Sequence, residues 1–274
     1  MGEEEKTERY CSTMGVKTSI SQSQLPEEYQ KYELRPTKDG VSDSVYLLGN
    51  TYVLKHFDSA NKQTIVNEKK LLAHLADLPV PQMLEQFQIE GKEAVLFTQA
   101  AGKSPLKPRP KQIEQIGIFL KHFHKRTQGI KNSNVRLFEK NRLKNLVEKA
   151  RHPSLIDNFK TLDMELKNDG IIHGDLFMDN AKFIGDTLSG VYDFTEACEG
   201  DFMFDLAVVA CSWCFNGDTP EEDKFDTLLK SYGGELDKTE FKAYIRYALL
   251  YYATTRYMGG RDYATLLKRL ERLK

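Results

Sequence analysis

The sequence predicts an α+β chain, with an N-terminal antiparallel sheet carrying one helix and a larger, mostly helical C-terminal part. Three observations carry this. The first hundred residues alternate short aromatic or β-branched runs with turn signals. Beyond residue 105, apolar residues recur at helical spacing. Between helical stretches, a short hairpin around Gly185-Asp186 interrupts the pattern. The 274 residues, 40% apolar and 29% charged, form an ordinary globular profile, long enough for two lobes. A formal charge of −1 points away from a nucleic-acid partner. The most apolar run, 206–215, is about half the roughly 20 residues that a membrane span needs.

The elements follow in order. Residues 1–13 are acidic and polar, lack the order of a secretory signal, and read as a disordered extension before Met14. Residues 21–32 are mildly helical and 32–36 begin a strand. Residues 37–48 read as strand, turn, strand; Gly49-Asn50 is a hairpin turn, and 51–57 is a third strand around Lys55. Residues 61–76 form a helix with Ile65, Leu71, Leu72 and Leu75 on one face, and Glu68 shares that side. Pro79 and Pro81 end it. Strands at 83–89 and 94–98 flank Glu90-Gly91. Residues 99–105 lose both periodicities and read as a hinge between a lobe over 14–98 and a lobe over 106–274.

The second part is helical over 110–124, 138–150 and 154–167. His122 and His124 are two apart on the first of these helices, so they diverge and are poor joint metal ligands. Residues 195–200 read as a loop. A buried helix over 202–215 carries Asp205 near its start, where an unpaired carboxylate is costly, so Asp205 is expected to brace the backbone of the catalytic loop around Asp175. Residues 220–274 are helical, with tyrosines 244, 247, 251, 252 and 257 as core. Cys211 and Cys214 form a C-x-x-C without a second pair, and read as buried reduced thiols. A cytoplasmic protein is expected.

The chemistry concentrates at 171–194. Ile171-Ile172 lead into His173-Gly174-Asp175, and Asn180 follows five residues later. Two short strands at 181–184 and 188–192 then end at Asp193-Phe194. This spacing sets Asp175, Asn180 and Asp193 at the ends of one hairpin. A carboxylate beside a metal-binding amide and a second carboxylate suits phosphoryl transfer. H-x-D-x-x-x-x-N before a strand ending in Asp-Phe is the catalytic-loop arrangement of kinases. Magnesium, which takes few protein oxygens, would need only Asn180 and Asp193.

With that site, the N-terminal part gains a second reading. Lys55 is either an edge charge or a point charge on nucleotide phosphates, with Glu68 as its partner. Gly40, Ser42, Asp43 and Ser44 can aim amides and hydroxyls at a phosphate, although one glycine makes a poor glycine-rich loop. Thr98, Gln99 and Ala101 can offer backbone groups to an adenine edge.

The stretches 173–183, 186–194 and 197–208, with Trp213-Cys214, resemble the bacterial homoserine kinases built on the aminoglycoside phosphotransferase and choline kinase version of the protein-kinase-like fold. Residues 14–21 and 36–46 resemble the beginning of that family. The resemblance implies two lobes, with ATP and Mg²⁺ as cofactors. Asp175 is the matching catalytic residue, Asn180 and Asp193 match the metal ligands, and Lys55 the phosphate-binding lysine. The implied reaction phosphorylates L-homoserine, a step of threonine biosynthesis. Choline, ethanolamine and aminoglycosides are the alternative small-molecule alcohols, and a non-catalytic nucleotide-binding pseudokinase is the alternative of another class. Thr195-Glu196 depart from the aromatic residue that many members carry after Asp-Phe. An amino-acid acceptor needs an acidic and a basic partner, for which Glu196 and Asp201, and Arg256 and Arg261, are the candidates.

Overall fold

The computed structural model describes residues 16–37, 43–58, 62–132, 134–233 and 237–273. They fall into two compact units, Met1–Ala76 with Pro81–Ala100, and Asp77–Val80 with Ala101–Lys274.

The first unit holds a five-stranded antiparallel sheet in the order β1-β2-β3-β5-β4; burial alternates along β2, whereas β5 is buried continuously from Ala94 to Phe97. The strands are β1 (Leu34–Pro36), β2 (Ser44–Leu48), β3 (Tyr52–His56), β4 (Met83–Ile89) and β5 (Lys92–Thr98). Tyr46, Leu48, Leu54, Ile89 and Leu96 form its core with Ile20 and Leu25. Each such aliphatic side chain contributes roughly 1.5–3 kcal/mol when buried. Glu90 and Gly91 both have positive φ, 52° and 76°, the backbone that a tight β4–β5 hairpin requires. β1 is short and ends in Pro36, which discourages further pairing at that edge. Helix α1 (Lys62–His74) buries Ile65, Leu71, Leu72 and Glu68. The helical reading of 21–32 is corrected to two 3-10 turns, Gln22–Gln24 and Glu27–Tyr29. Pro26, which has no backbone N–H to donate, stands between them.

The second unit is mainly helical. Its helices are α2 (Pro110–Thr127), α3 (Lys140–Ala150), α4 (Pro153–Lys160), α5 (Phe202–Trp213), α6 (Glu222–Tyr232), α7 (Lys238–Met258) and α8 (Ala264–Arg272). Phe204 to Trp213 of α5 are all buried, so this helix, apolar on every side, lies inside the unit. Helix α2 packs on α6, and α5 on α7. Strand β6 (Gly170–Ile172) pairs with β9 (Cys198–Gly200), and β7 (Ala181–Ile184) with β8 (Thr187–Val191), all antiparallel.

Two expectations are corrected here. Helix α4 ends at Lys160 rather than 167, because Thr161 Oγ1 turns back onto the Asn158 carbonyl at 2.8 Å. The following segment is held beside β9 instead, with Asp169 N–H donating to the Gly200 carbonyl at 2.9 Å. Residues 195–200 are not all loop, since Cys198–Gly200 form the strand that pairs with β6. No helix among the described residues is long and apolar enough to cross a membrane.

Candidate catalytic site

Strand β6 buries Ile171 and Ile172 and delivers His173 to the interior. There the loop backbone meets Asp205, in the first turn of α5. Asp205 Oδ2 accepts from His173 N–H at 2.8 Å, and Oδ1 from Gly174 N–H at 2.7 Å. This is the bracing role expected of Asp205. His124 adds a contact to Asp205 Oδ2 at 3.1 Å, and its other ring nitrogen lies 2.9 Å from the Tyr232 hydroxyl. Burial pushes the Asp205 carboxyl up, but His124 and the backbone donors more than offset it and hold the group below its ordinary range.

His173 joins two parts of the site. Asp175 N–H donates to its Nδ1 at 3.2 Å, so the ring proton sits on Nε2, 3.1 Å from the Tyr192 carbonyl. Burial lowers the pKa of His173, in keeping with that neutral form. The ring therefore ties Asp175 to the residue preceding Asp193. Gly174 has φ of +78°, and a Cβ there would stand 2.4 Å from the Phe138 ring, so glycine is required.

Asn180 completes the group. Its Nδ2 donates to the Asp175 carbonyl at 2.7 Å and lies 3.3 Å from Asp175 Oδ2. Its own carbonyl accepts from Tyr192 N–H at 3.0 Å. Asp193 follows in a left-handed conformation, φ 67°, and its Oδ1 accepts from Thr195 Oγ1 at 3.0 Å. Burial pushes the Asp175 carboxyl well above its ordinary range; Glu196, Asp193 and Asp179 add to this, while Arg256 opposes it. The Arg256 guanidinium lies 5.1 Å from the centre of the Phe177 ring.

These donors fit a hard cation. The Asn180 amide nitrogen is engaged by Asp175, which leaves its oxygen as the ligand atom, and Asp193 offers an exposed carboxylate. One amide oxygen and one carboxylate suit magnesium, which keeps several waters and takes few protein ligands.

In the first unit, Lys55 Nζ lies 3.8 Å from Asp43 Oδ2, its side chain 12% exposed. Glu68 is buried on α1. The phosphate-facing reading of the Ser44 hydroxyl is corrected. Ser44 Oγ donates to Asp58 Oδ2 at 2.6 Å and accepts from the N–H groups of Lys17 and Thr18, both at 2.8 Å. One donor and two acceptor positions are all that a hydroxyl has. Ser42 lies outside the described residues. Thr98 N–H donates to the Gln82 carbonyl at 3.0 Å and Gln99 N–H to the Thr51 carbonyl at 2.9 Å, so neither donor is open to a ligand. The Ala101 carbonyl accepts from Ser189 Oγ.

Of the acceptor candidates, Glu196 and Arg256 act electrostatically on Asp175. Asp201 does not serve there and is corrected. It is fully buried, caps α5 through Met203 N–H at 2.8 Å, and accepts from Lys167 N–H at 2.8 Å and the Tyr244 hydroxyl at 3.0 Å. Arg261 is exposed just beyond α7. Sequence reasoning missed the roles of His124, Trp213 and Tyr252 around the loop. For His124 and Tyr252 the sequence signal is a polar atom on an otherwise apolar helix face.

The profile of the family described as "Phosphotransferase enzyme family" matches residues 33–244. The homoserine kinase of Methylobacillus glycogenes is 28% identical over 257 aligned residues, covering 83% of this chain and 80% of that protein. That of Brucella melitensis is 28% identical, covering 91% and 86%. The GDP complex of aminoglycoside 2'-phosphotransferase-IIIa superposes with a TM-score of 0.64 at 17% identity, over 88% of this chain and 91% of that one. A choline kinase from Streptococcus pneumoniae superposes at 0.62 with 16% identity, over 88% and 91%. These likenesses show a protein-kinase-like α+β fold.

Proposed function

We propose a reaction and an acceptor on a firm premise: this chain belongs to the phosphotransferase enzyme family. The protein moves the γ-phosphoryl group of ATP onto the side-chain hydroxyl of L-homoserine. The observation that carries this reading is the grip of Asn180 Nδ2 on Asp175, at 2.7 Å from its carbonyl and 3.3 Å from its carboxylate. One side chain thereby orients the group that meets the acceptor and presents an oxygen to a metal.

Asp175 accepts a hydrogen bond from the acceptor hydroxyl, aligns it, and takes its proton as the phosphoryl group transfers. A carboxylate made more basic by burial and by its acidic neighbours suits that task. Asn180 and Asp193 hold Mg²⁺, which when bound neutralises charge on the phosphate oxygens. Lys55, supported by Glu68, holds the nucleotide phosphates as a point charge. Among the described residues, the Gln99 carbonyl and the Ala101 N–H form no backbone hydrogen bond, and they take the adenine edge. Glu196 pairs with the acceptor ammonium and Arg256 with its carboxylate. The homoserine kinase names among the relatives support this acceptor, at 26–28% identity. So does Arg256, because choline has no anion for a guanidinium to meet.

The test is ADP formation with L-homoserine, choline, ethanolamine or an aminoglycoside as acceptor. Turnover should be highest with homoserine. Turnover with choline and none with homoserine would overturn the acceptor. Arg256→Gln should raise the KM for homoserine by about tenfold or more, the scale of a lost charge-assisted contact, and leave the KM for ATP unchanged.

A further inference from the structure

The loop that carries Asp175 is held by its backbone from two helices. From α5, Asp205 takes the N–H groups of His173 and Gly174, and Trp213 Nε1 donates to the Leu176 carbonyl at 3.1 Å. From α7, the Tyr252 hydroxyl donates to the Gly174 carbonyl. That carbonyl belongs to the same peptide group as the N–H of Asp175, which donates to His173 Nδ1 at 3.2 Å. A peptide group is planar and rigid. A hydrogen bond at each end fixes its plane, and with it the direction in which Asp175 leaves the backbone.

We propose that Tyr252 is a positioning residue for phosphoryl transfer, its hydroxyl locking the Gly174–Asp175 peptide so that α7 sets the aim of Asp175. This rests on the assignment of Asp175 made above. Three observations support it. Tyr252 is 6% exposed, and a buried phenolic hydroxyl is costly unless it makes a hydrogen bond. Among the described residues, the Gly174 carbonyl has no other donor. The Tyr252 ring is held edge-on by Phe177 at 4.7 Å and by Tyr251 at 5.2 Å between ring centres, so phenylalanine would keep the packing and lose only the hydrogen bond. One turn further along α7, Arg256 lies over Phe177 of the same loop.

The test compares Tyr252→Phe with Tyr244→Phe, which removes a buried hydroxyl from the same helix but one that bonds Asp201 instead. Both variants should lose similar amounts of thermal stability. Only Tyr252→Phe should lower kcat, by on the order of 10–100-fold for a misaimed group, with the dissociation constant for ATP and the KM for the acceptor within about twofold of wild type. The proposal is overturned if kcat of Tyr252→Phe stays within about twofold of wild type, or if Tyr244→Phe loses as much. Asp175→Asn measured alongside separates the two assignments. If it retains turnover, the role of Asp175 is wrong. If it loses turnover while Tyr252→Phe does not, only the positioning role fails.

Discussion

Asp205 and Asp175 meet the same loop, and their surroundings drive their carboxyls in opposite directions. Both are desolvated. Asp205 faces donors, namely two backbone N–H groups and the His124 ring, and stays below the ordinary carboxylate range. Asp175 faces the carboxylates of Glu196, Asp193 and Asp179, and is driven well above it. A buried carboxylate whose neighbours all donate is a brace. One whose neighbours mostly repel it is poised for a cation or a proton, and its cost is tolerated for what it does.

The contrast can be broken first at the brace. Asp205→Ala strips partners from two buried N–H groups and from His124, and should cost about 3–5 kcal/mol of unfolding free energy. Urea titration reads this through Trp213, the single tryptophan of the chain, which is buried. A loss below about 1 kcal/mol, the scale of a surface contact, would mean that the loop holds itself. On the other side, Asn180→Ala should lower turnover on the order of 10²–10³-fold and raise the Mg²⁺ concentration needed for half-maximal rate, with little change in urea midpoint. A drop in midpoint as large as that of Asp205→Ala would make Asn180 a second brace.

What the sequence made legible follows the same division. The α+β fold was readable because strand alternation and helical spacing are local signals, and they hold for β3, β4, α1 and α2. Asp175, Asn180 and Asp193 could be named as one group because a single hairpin, β7–β8, links them over a short stretch. Of the supports, Asp205 could be named, since a carboxylate at the start of a buried helix is a local signal, but Tyr252 and His124 could not. Tyr252 reaches Gly174 across 78 positions and His124 reaches Asp205 across 81, and such pairings depend on how helices pack. Asp201 misled for a related reason. An aspartate before an apolar helix reads alike as an acceptor-binding group or an N-cap, and only its burial separates the two. Ser44 misled because its partners are distant in sequence: Lys17 and Thr18 lie before β1, and Asp58 lies beyond β3.

A third carboxylate extends the comparison to the other unit, with a smaller effect. Burial would raise Asp58, but hydrogen bonds from Ser44, Thr18 and Lys92, with His56 nearby, hold it down to about 2. Its folded value lies below the unfolded value of about 3.9. Its contribution is therefore full above the unfolded value, and is lost as pH falls through about 2. Allowing for the partly exposed Lys92, the contribution is about 1–2 kcal/mol. Asp58→Asn should flatten the acid limb of stability against pH between about 5 and 2. An unchanged acid limb would show that the network contributes nothing.

The most direct measurement pairs turnover with melting temperature for Asp175→Asn, with ATP, Mg²⁺ and L-homoserine supplied for turnover and melting recorded without them. Turnover should fall by about 10³-fold or more, as for removal of an essential base. The melting temperature should hold or rise near neutral pH. The folded pKa of Asp175 is raised, so the stability it contributes at low pH is lost as pH rises towards that folded value, and asparagine removes the charge. Near-normal turnover, or a melting loss like that of Asp205→Ala, would contradict the assignment of Asp175 as the group that orients the acceptor.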